Sequence, residues 1–263
     1  MPQKYLNKLE GTRVLVVGGT SGIGFCVAEA SIEHGATVIV ASSRQESIDR
    51  TIARITASYP EAAGRISGKT CNLASDDLED QIIALYEFAT NNGADKLDHV
   101  AVTAGDALNL TPISQVTLDI TTRISRVRLV GSLLLTKHAP TYLNVSFKSS
   151  ITFTSGVNGA KPGDGWAAVA PFATAIEGLG RGAAKDIKPI RVNVVSPGAV
   201  KTELFANFGD EAKQAAIVER YAKQTLTGHI GTPEDLAEAY LHMMKNWFVT
   251  GALTQIDGGY LLL

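Results

Sequence analysis

Short runs of β-branched and aliphatic residues recur along the chain, separated by longer stretches in which apolar positions return every three or four residues. The runs 13–17, 37–41, 67–71, 99–102, 150–154, 191–195 and 253–256 predict seven strands. The stretches between them predict helices near 22–34, 45–58, 76–92, 115–139, 167–186, 203–225 and 233–246. The last helix opens on Thr232-Pro233-Glu234-Asp235, with Thr as N-cap and Pro at the first helical position. Most strand runs are too apolar for a sheet with one wet face, so they belong in a parallel sheet covered by helices on both sides. Strand and helix alternate without a linker or a longer internal repeat. That pattern predicts one doubly wound α/β domain over residues 1–263, with a parallel seven-stranded sheet.

The 263-residue chain carries 24 Lys+Arg against 26 Asp+Glu, a formal net charge of −2. This balance leaves no basic footprint for nucleic acid or an anionic membrane. With 45% hydrophobic and 19% charged residues, the chain folds around a core rather than staying disordered. At this length roughly 75% of the unfolded surface is buried, so stability needs neither disulfides nor a metal. Cys26 and Cys71 stand far apart with no CxxC or Cys/His spacing, which predicts two buried free thiols. His34, His99, His138, His229 and His242 show no metal-ligand spacing and are expected on helix surfaces or strand edges. There is no apolar run of ~18 residues and the N-terminal MPQKYLNKLEG has no apolar region, so a cytoplasmic protein without a membrane partner is expected. The tail Leu261-Leu262-Leu263 is expected to pack at a subunit contact or a ligand pocket.

The strongest local signal is Val14-Leu15-Val16-Val17-Gly18-Gly19-Thr20-Ser21-Gly22-Ile23-Gly24, a buried strand running into a glycine turn and then a helix. Gly18 permits the tight turn, Gly22 lets backbone N–H groups approach a pyrophosphate, and Gly24 allows helix to pack closely on strand. By itself such a turn fits either a nucleotide site or an ordinary connection. The GxxxGxG spacing resembles the short-chain dehydrogenase/reductase superfamily, and further segments extend that resemblance over nearly the whole chain. Cys71-Asn72-Leu73 resembles the segment after the third strand that meets the adenine. Val102-Thr103-Ala104-Gly105 stands where the superfamily has NNAG, with Thr103 in place of the second Asn. Ser196-Pro197-Gly198-Ala199-Val200-Lys201-Thr202 is similar to its PGxxxT segment at the nicotinamide end, and Thr250-Gly251 with Asp257-Gly258-Gly259 matches its last strand and turn.

The resemblance implies a Rossmann fold and a dinucleotide held by Gly18, Thr20, Ser21, Gly22, Ile23 and Gly24, with Asn72, Leu73, Ala104, Gly105, Pro197, Gly198, Val200 and Thr202 along its length. A carboxylate at the end of the second strand would bond the ribose 2′-OH and repel a 2′-phosphate. This chain has Ala41-Ser42-Ser43-Arg44 there, with no acid and a guanidinium that pairs with phosphate. The expected cofactor is therefore NADPH/NADP+, with Ser42, Ser43 and Arg44 at its 2′-phosphate. The alternative for Arg44 is a solvated residue opening the next helix.

In the superfamily a Tyr donates a proton to the developing alkoxide, a Lys four residues later lowers the Tyr pKa, and a Ser binds the substrate oxygen. Ser155, after Ile151-Thr152-Phe153-Thr154, matches the Ser. Ile176-Glu177-Gly178-Leu179 aligns with the superfamily helix and puts the Tyr and Lys positions at Val169 and Ala173. Neither can move a proton, and none of the seven Tyr has a Lys four positions later. In Val127-Arg128-Leu129-Val130-Gly131, Arg128 stands at the Asn of the superfamily's NxxG. Two readings follow: a noncatalytic NADP(H)-binding protein, or a changed substrate. Hydride addition to a ketone creates an alkoxide and needs an acid, whereas addition to an iminium cation gives a neutral amine and needs none. Such a site wants a carboxylate near the cation.

Ala160-Lys161-Pro162-Gly163-Asp164-Gly165-Trp166 supplies one. Asp164, flanked by glycines, can turn toward the pocket, and Trp166 offers an apolar or cation-stacking face; the alternatives are a turn-capping Asp and a core Trp. Arg128 requires an anionic partner if buried, either Asp164 or a substrate oxyanion, and it stays protonated. The combination resembles the fungal reductase/Diels–Alderases of bicyclo[2.2.2]diazaoctane indole alkaloid pathways, of malbrancheamide and paraherquamide type, which lack the Tyr/Lys pair. Their Arg matches Arg128 and their Pro-, Asp-, Gly- and Trp-containing loop resembles Pro162 to Trp166, although there the Asp follows the Pro directly and here Gly163 intervenes. The resemblance implies NADPH-dependent reduction of a cationic iminium on a prenylated, Trp-derived dipeptide, coupled to intramolecular [4+2] cycloaddition. It gives catalytic roles to Asp164, Arg128, Trp166 and Ser155. The alternatives are a reductase of another C=N or C=C substrate and the noncatalytic module.

A cycloaddition requires only a folded conformer held in register in an apolar pocket. Leu108, Leu110, Leu204, Phe205 and Phe208 are lining candidates, with Lys161 and Lys201 nearby. The expected partners are a small apolar, alkaloid-like substrate and further copies of the chain. Helices 115–139 and 167–186 would form the contact of a dimer or tetramer, with Gly178, Gly180 and Gly182 permitting close approach.

Overall fold

The structure, a computed structural model, describes residues 4–105, 110–203 and 210–263. Strands β1 (Arg13–Val17), β2 (Thr37–Ser42), β3 (Ile66–Thr70), β4 (His99–Val102), β5 (Ser150–Thr154), β6 (Arg191–Pro197) and β7 (Leu253–Ile256) form a sheet in the order β3-β2-β1-β4-β5-β6-β7. All six pairings are parallel. The helices are α1 (Gly22–Glu33), α2 (Gln45–Ser58), α3 (Leu78–Ala89), α4 (Leu118–Ser125), α5 (Gly131–Tyr142), α6 (Ala170–Asp186), α7 (Glu211–Ala222) and α8 (Pro233–Lys245). From β1 the chain runs outward to β3, then returns to β4 beside β1 and runs outward the other way. The connections leaving β1 and β4 therefore part, opening the crevice in which doubly wound sheets bind ligands.

Successive strand residues face opposite sides of the sheet, and here both sides are dry. Val14, Val16, Val38 and Val40 pack with residues of α1, α2 and α8. Leu15, Val17 and Ile39 pack with residues of α3, α5 and α6. This two-sided burial explains the nearly continuous apolar strands. Gly180 draws α6 onto β6, since a Cβ there would lie 2.4 Å from Val194 Cγ2, whereas Gly178 and Gly182 face open space. Of the three glycines expected at a subunit contact, Gly180 belongs to the interior.

The helix expected over 115–139 runs continuously from Leu118 to Tyr142, with a π-helical turn inside it. A 3-10 turn spans Ile113–Gln115, Thr117 Oγ1 then accepts from Ile120 N–H at 3.2 Å to start α4, and a π-helical turn, Arg126–Val130, leads into α5. The helix expected over 76–92 stops at Ala89, and Asn91 and Asn92 follow with φ of 50° and 54°, a left-handed conformation that Asn tolerates. Of the helix expected over 203–225, α7 starts only after Asp210, whose carboxylate accepts from Lys213 N–H at 2.9 Å.

His99 also departs from expectation. It lies in β4, an interior strand, at 2% exposure, with Nδ1 2.9 Å from Ser150 Oγ. Burial, and after it the Arg191 guanidinium, pull its pKa down to about 3, so the ring is neutral. Arg191 is itself buried and donates to the carbonyls of Phe147, Lys148, Met243, Met244 and Val249. Cys26 and Cys71 are buried free thiols, pushed up to about 12 and about 11, chiefly by burial. Among the described residues no helix is long and apolar enough to cross a membrane.

Candidate active site

Backbone crowding shapes the glycine turn after β1. Gly18 has φ +86°, and a Cβ on it would lie 2.6 Å from Ala104 N. On Gly24 a Cβ would lie 2.2 Å from Gly18 O and 2.4 Å from Thr103 Oγ1. Thr103 Oγ1 also donates to Val17 O at 3.1 Å, so this replacement for Asn ties the end of β4 to β1. Thr20 Oγ1 donates to Ser42 Oγ at 3.1 Å, joining the turn to the end of β2, beyond which Ser43 and Arg44 are exposed. Ser21 sits extended at the head of α1 without a side-chain cap bond, and Ile23 is half-buried against the α1/α8 core. The structure thus brings Gly18, Thr20, Ser21, Gly22, Ile23, Gly24, Ser42, Ser43 and Arg44 to one edge of the crevice.

The other cofactor candidates divide by role. Asn72 is exposed and its Oδ1 accepts from Ala74 N–H at 3.1 Å, closing its own turn. Leu73 is buried in the second core and packs beneath Gly131. Ala104 and Gly105 continue from β4 into the crevice. Pro197 ends β6, Gly198 packs against Asp257 so closely that a Cβ would come within 2.8 Å, and Val200 bridges to Gly231. Thr202 returns to the glycine turn, with its Cγ2 3.1 Å from the Cβ position of Gly22.

Across the crevice, the π-helical turn carries Arg128 so that its guanidinium lies 3.3 Å from the Cβ position of Gly105. A Cβ at 105 would meet only the flexible end of this side chain, which lies across the end of β4. An Arg128–Asp164 ion pair, expected as one option, is not among those of the described residues. Ser155 follows β5, and its hydroxyl donates to Glu177 Oε1 of α6 at 3.3 Å. The next residue, Gly156, has its Cβ place filled by Asn158 Oδ1, 2.4 Å away. Sequence reading missed both Glu177 and Asn158; the sole hint was an amide two residues past a glycine at a strand exit.

Val169 and Ala173 are buried at the head of α6, where Ala173 Cβ lies 3.1 Å from the Cβ position of Gly159. They are packing residues. The loop before them is open: Pro162, Gly163, Asp164 and Gly165 are exposed, Gly165 has φ +80°, and Leu110 faces it at 3.8 Å from its Cβ position. Trp166 is half-buried, and its carbonyl accepts from Val169 N–H and Ala170 N–H, both at 2.9 Å, to start α6. Lys161 Nζ lies 4.5 Å from the Tyr260 ring and donates to Tyr260 O at 3.2 Å, drawing the C-terminal turn beside this loop. Leu262 and Leu263 on that turn are 80% and 63% exposed, and Lys201 is exposed too. Leu108, Leu204, Phe205 and Phe208 lie outside the described residues.

A family profile described as an SDR-like Rossmann domain matches residues 5–263. The chain belongs to the short-chain dehydrogenase/reductase family. The short-chain dehydrogenase/reductase ucsE of an Acremonium species is 45% identical over 264 residues, 100% of both chains. The enzyme malC of Malbranchea aurantiaca is 36% identical over 257 residues, 97% of this chain and 96% of that one. The solved MalC reductase/Diels–Alderase from the same fungus superposes with a TM-score of 0.92 at 36% identity, covering 98% of this chain and 100% of that chain. As a short-chain dehydrogenase/reductase the protein is an oxidoreductase with a nicotinamide cofactor. The crevice fits a dinucleotide, because crowded glycines bare the backbone at Gly18, Gly22 and Gly24 while α1 aims its N-terminus there.

Proposed function

We propose that this short-chain dehydrogenase/reductase uses NADPH to reduce a cationic iminium on a prenylated, dipeptide-derived indole alkaloid intermediate and directs its intramolecular [4+2] cycloaddition. The observation that carries the reading is the buried apolar pair Val169 and Ala173, which leaves α6 without a proton donor where the family chemistry uses one. Similarity to a protein described as a reductase/Diels–Alderase supports it.

When bound, NADPH supplies the hydride. Arg44, with Ser42 and Ser43, pairs with its 2′-phosphate; Ala104, Gly105, Pro197, Gly198, Val200 and Thr202 flank its nicotinamide end. Asp164 selects the cationic form of the substrate by Coulomb attraction, and Trp166 offers its ring face to the same cation. Arg128 holds a substrate oxygen across the end of β4. Ser155 and Asn158 contact the amide groups of the dipeptide ring. Val169 and Ala173 keep the reacting face dry, and reduction leaves a neutral amine that needs no acid. Cyclisation then depends on holding the neutral molecule folded, which supplies several kcal/mol of a barrier through orientation alone.

In this reading one cytoplasmic domain carries both steps. Exposed Val130 and Leu133, with Gly178 and Gly182, mark the contact of a dimer or tetramer; light scattering that shows only monomer removes that contact. The test of function is single-turnover absorbance at the reduced nicotinamide band, with NADPH-loaded protein mixed with a prenylated cyclic dipeptide iminium and products resolved by chiral chromatography. NADPH loss with one enantiomer of a bridged product is expected. Consumption without a bridged product leaves a C=N reductase, and tight binding without consumption leaves a noncatalytic NADP(H)-binding protein.

A further inference from the structure

Among the described helices, α4, α7 and α8 are each capped by their own N-cap residue: Thr117, Asp210 and Thr232. Helix α1, like α2, α3, α5 and α6, has no side-chain cap bond from its own N-cap residue, and its first turn holds no acidic residue. Its first amide is satisfied from 181 residues away, where Gly22 N–H donates to Glu203 Oε2 at 2.8 Å. Thr202 lies against the same glycine, so the segment leaving β6 is folded over the turn. A carboxylate there gains from the free amides and positive end of the helix.

We propose that Glu203 is a built-in competitor for the pyrophosphate of the dinucleotide and sets how tightly the cofactor binds. The inference rests on the glycine turn being the pyrophosphate site. The carboxylate holds an amide that the pyrophosphate needs and repels it by like charge. Cofactor capture therefore exchanges one anion for another at Gly22 and releases the exposed Glu203 side chain, with Thr202 and the end of β6 moving as the contact breaks.

The test is calorimetric titration of the full-length E203A and E203Q variants with NADPH, and with adenosine 2′-phosphate, which lacks the pyrophosphate. Removing a hydrogen bond to a charged group, together with its repulsion, should tighten NADPH binding about tenfold in E203A. E203Q should gain less, because its amide oxygen can still accept from Gly22. Affinity for adenosine 2′-phosphate should not change. The thermal midpoint of cofactor-free E203A should fall as α1 loses its cap, while that of the NADPH-bound variant should not. NADPH binding that is unchanged or weaker in both variants overturns the proposal. So does an equal gain with adenosine 2′-phosphate, which would make the effect one of general charge. Loss of adenosine 2′-phosphate binding would instead mark failure of the cofactor site itself.

Discussion

The β1–α1 end of the crevice and the β5–α6 end answer to different constraints. At the first, the backbone itself dictates residue type: Gly18 and Gly24 face main-chain atoms so close that no side chain fits. At the second, Val169 and Ala173, the positions that the family resemblance assigns to its acid and lysine, are buried apolar residues. The frame needs glycine in one half but needs no particular chemistry in the other. The change of reaction proposed above would therefore leave the glycine turn intact.

The sharpest way to break that contrast is Gly24→Val, whose side chain would enter the Gly18 carbonyl and Thr103. We expect a loss of at least about 4 kcal/mol or failure to fold, measured by denaturant unfolding; a well-folded variant would show that the turn is not sterically dictated. Next is the seam, β4, which pairs with β1 on one side and β5 on the other and carries His99. The folded ring stays neutral down to about pH 3, while the unfolded ring protonates near pH 6.5. The unfolded state then binds the extra proton, so stability falls as pH drops through that window. The loss should reach roughly 3 kcal/mol by about pH 4.5. Unfolding curves against pH should show this slope, and His99→Asn should flatten it whatever its cost at neutral pH.

In the second half, Asp164→Asn should lower kcat/KM for an iminium substrate about a hundredfold while leaving NADPH affinity unchanged. Equal activity would return Asp164 to a turn-capping role. The smallest effect belongs to the first half: Arg44→Ala should weaken NADPH about tenfold by calorimetry and leave NADH unaffected.

Much of this contrast is legible in the chain. The glycine spacing, the absent Tyr/Lys pair and the apolar strands are local patterns, and the seven strands fall within two residues of the expected bounds. The π-helical turn at 126–130 was not legible, because residues 115–139 keep helical composition straight through it. Nor was the burial of His99, since a histidine in a short strand reads alike at an edge or in the interior. Its neighbours β1 and β5 decide which.

What the sequence determined by itself is whatever depends on period, spacing and backbone sterics: the alternating elements, the glycine turn, and the absence of any Tyr with a Lys four positions later. Tertiary structure alone decided which polar groups meet. It turned Ser155 toward Glu177, set Asn158 beside Gly156, laid Arg128 over Gly105, and brought Glu203 to the head of α1. These contacts span up to 181 residues. They follow from strand order and helix seating, which no local pattern encodes, because each depends on how distant elements pack on the two faces of one sheet.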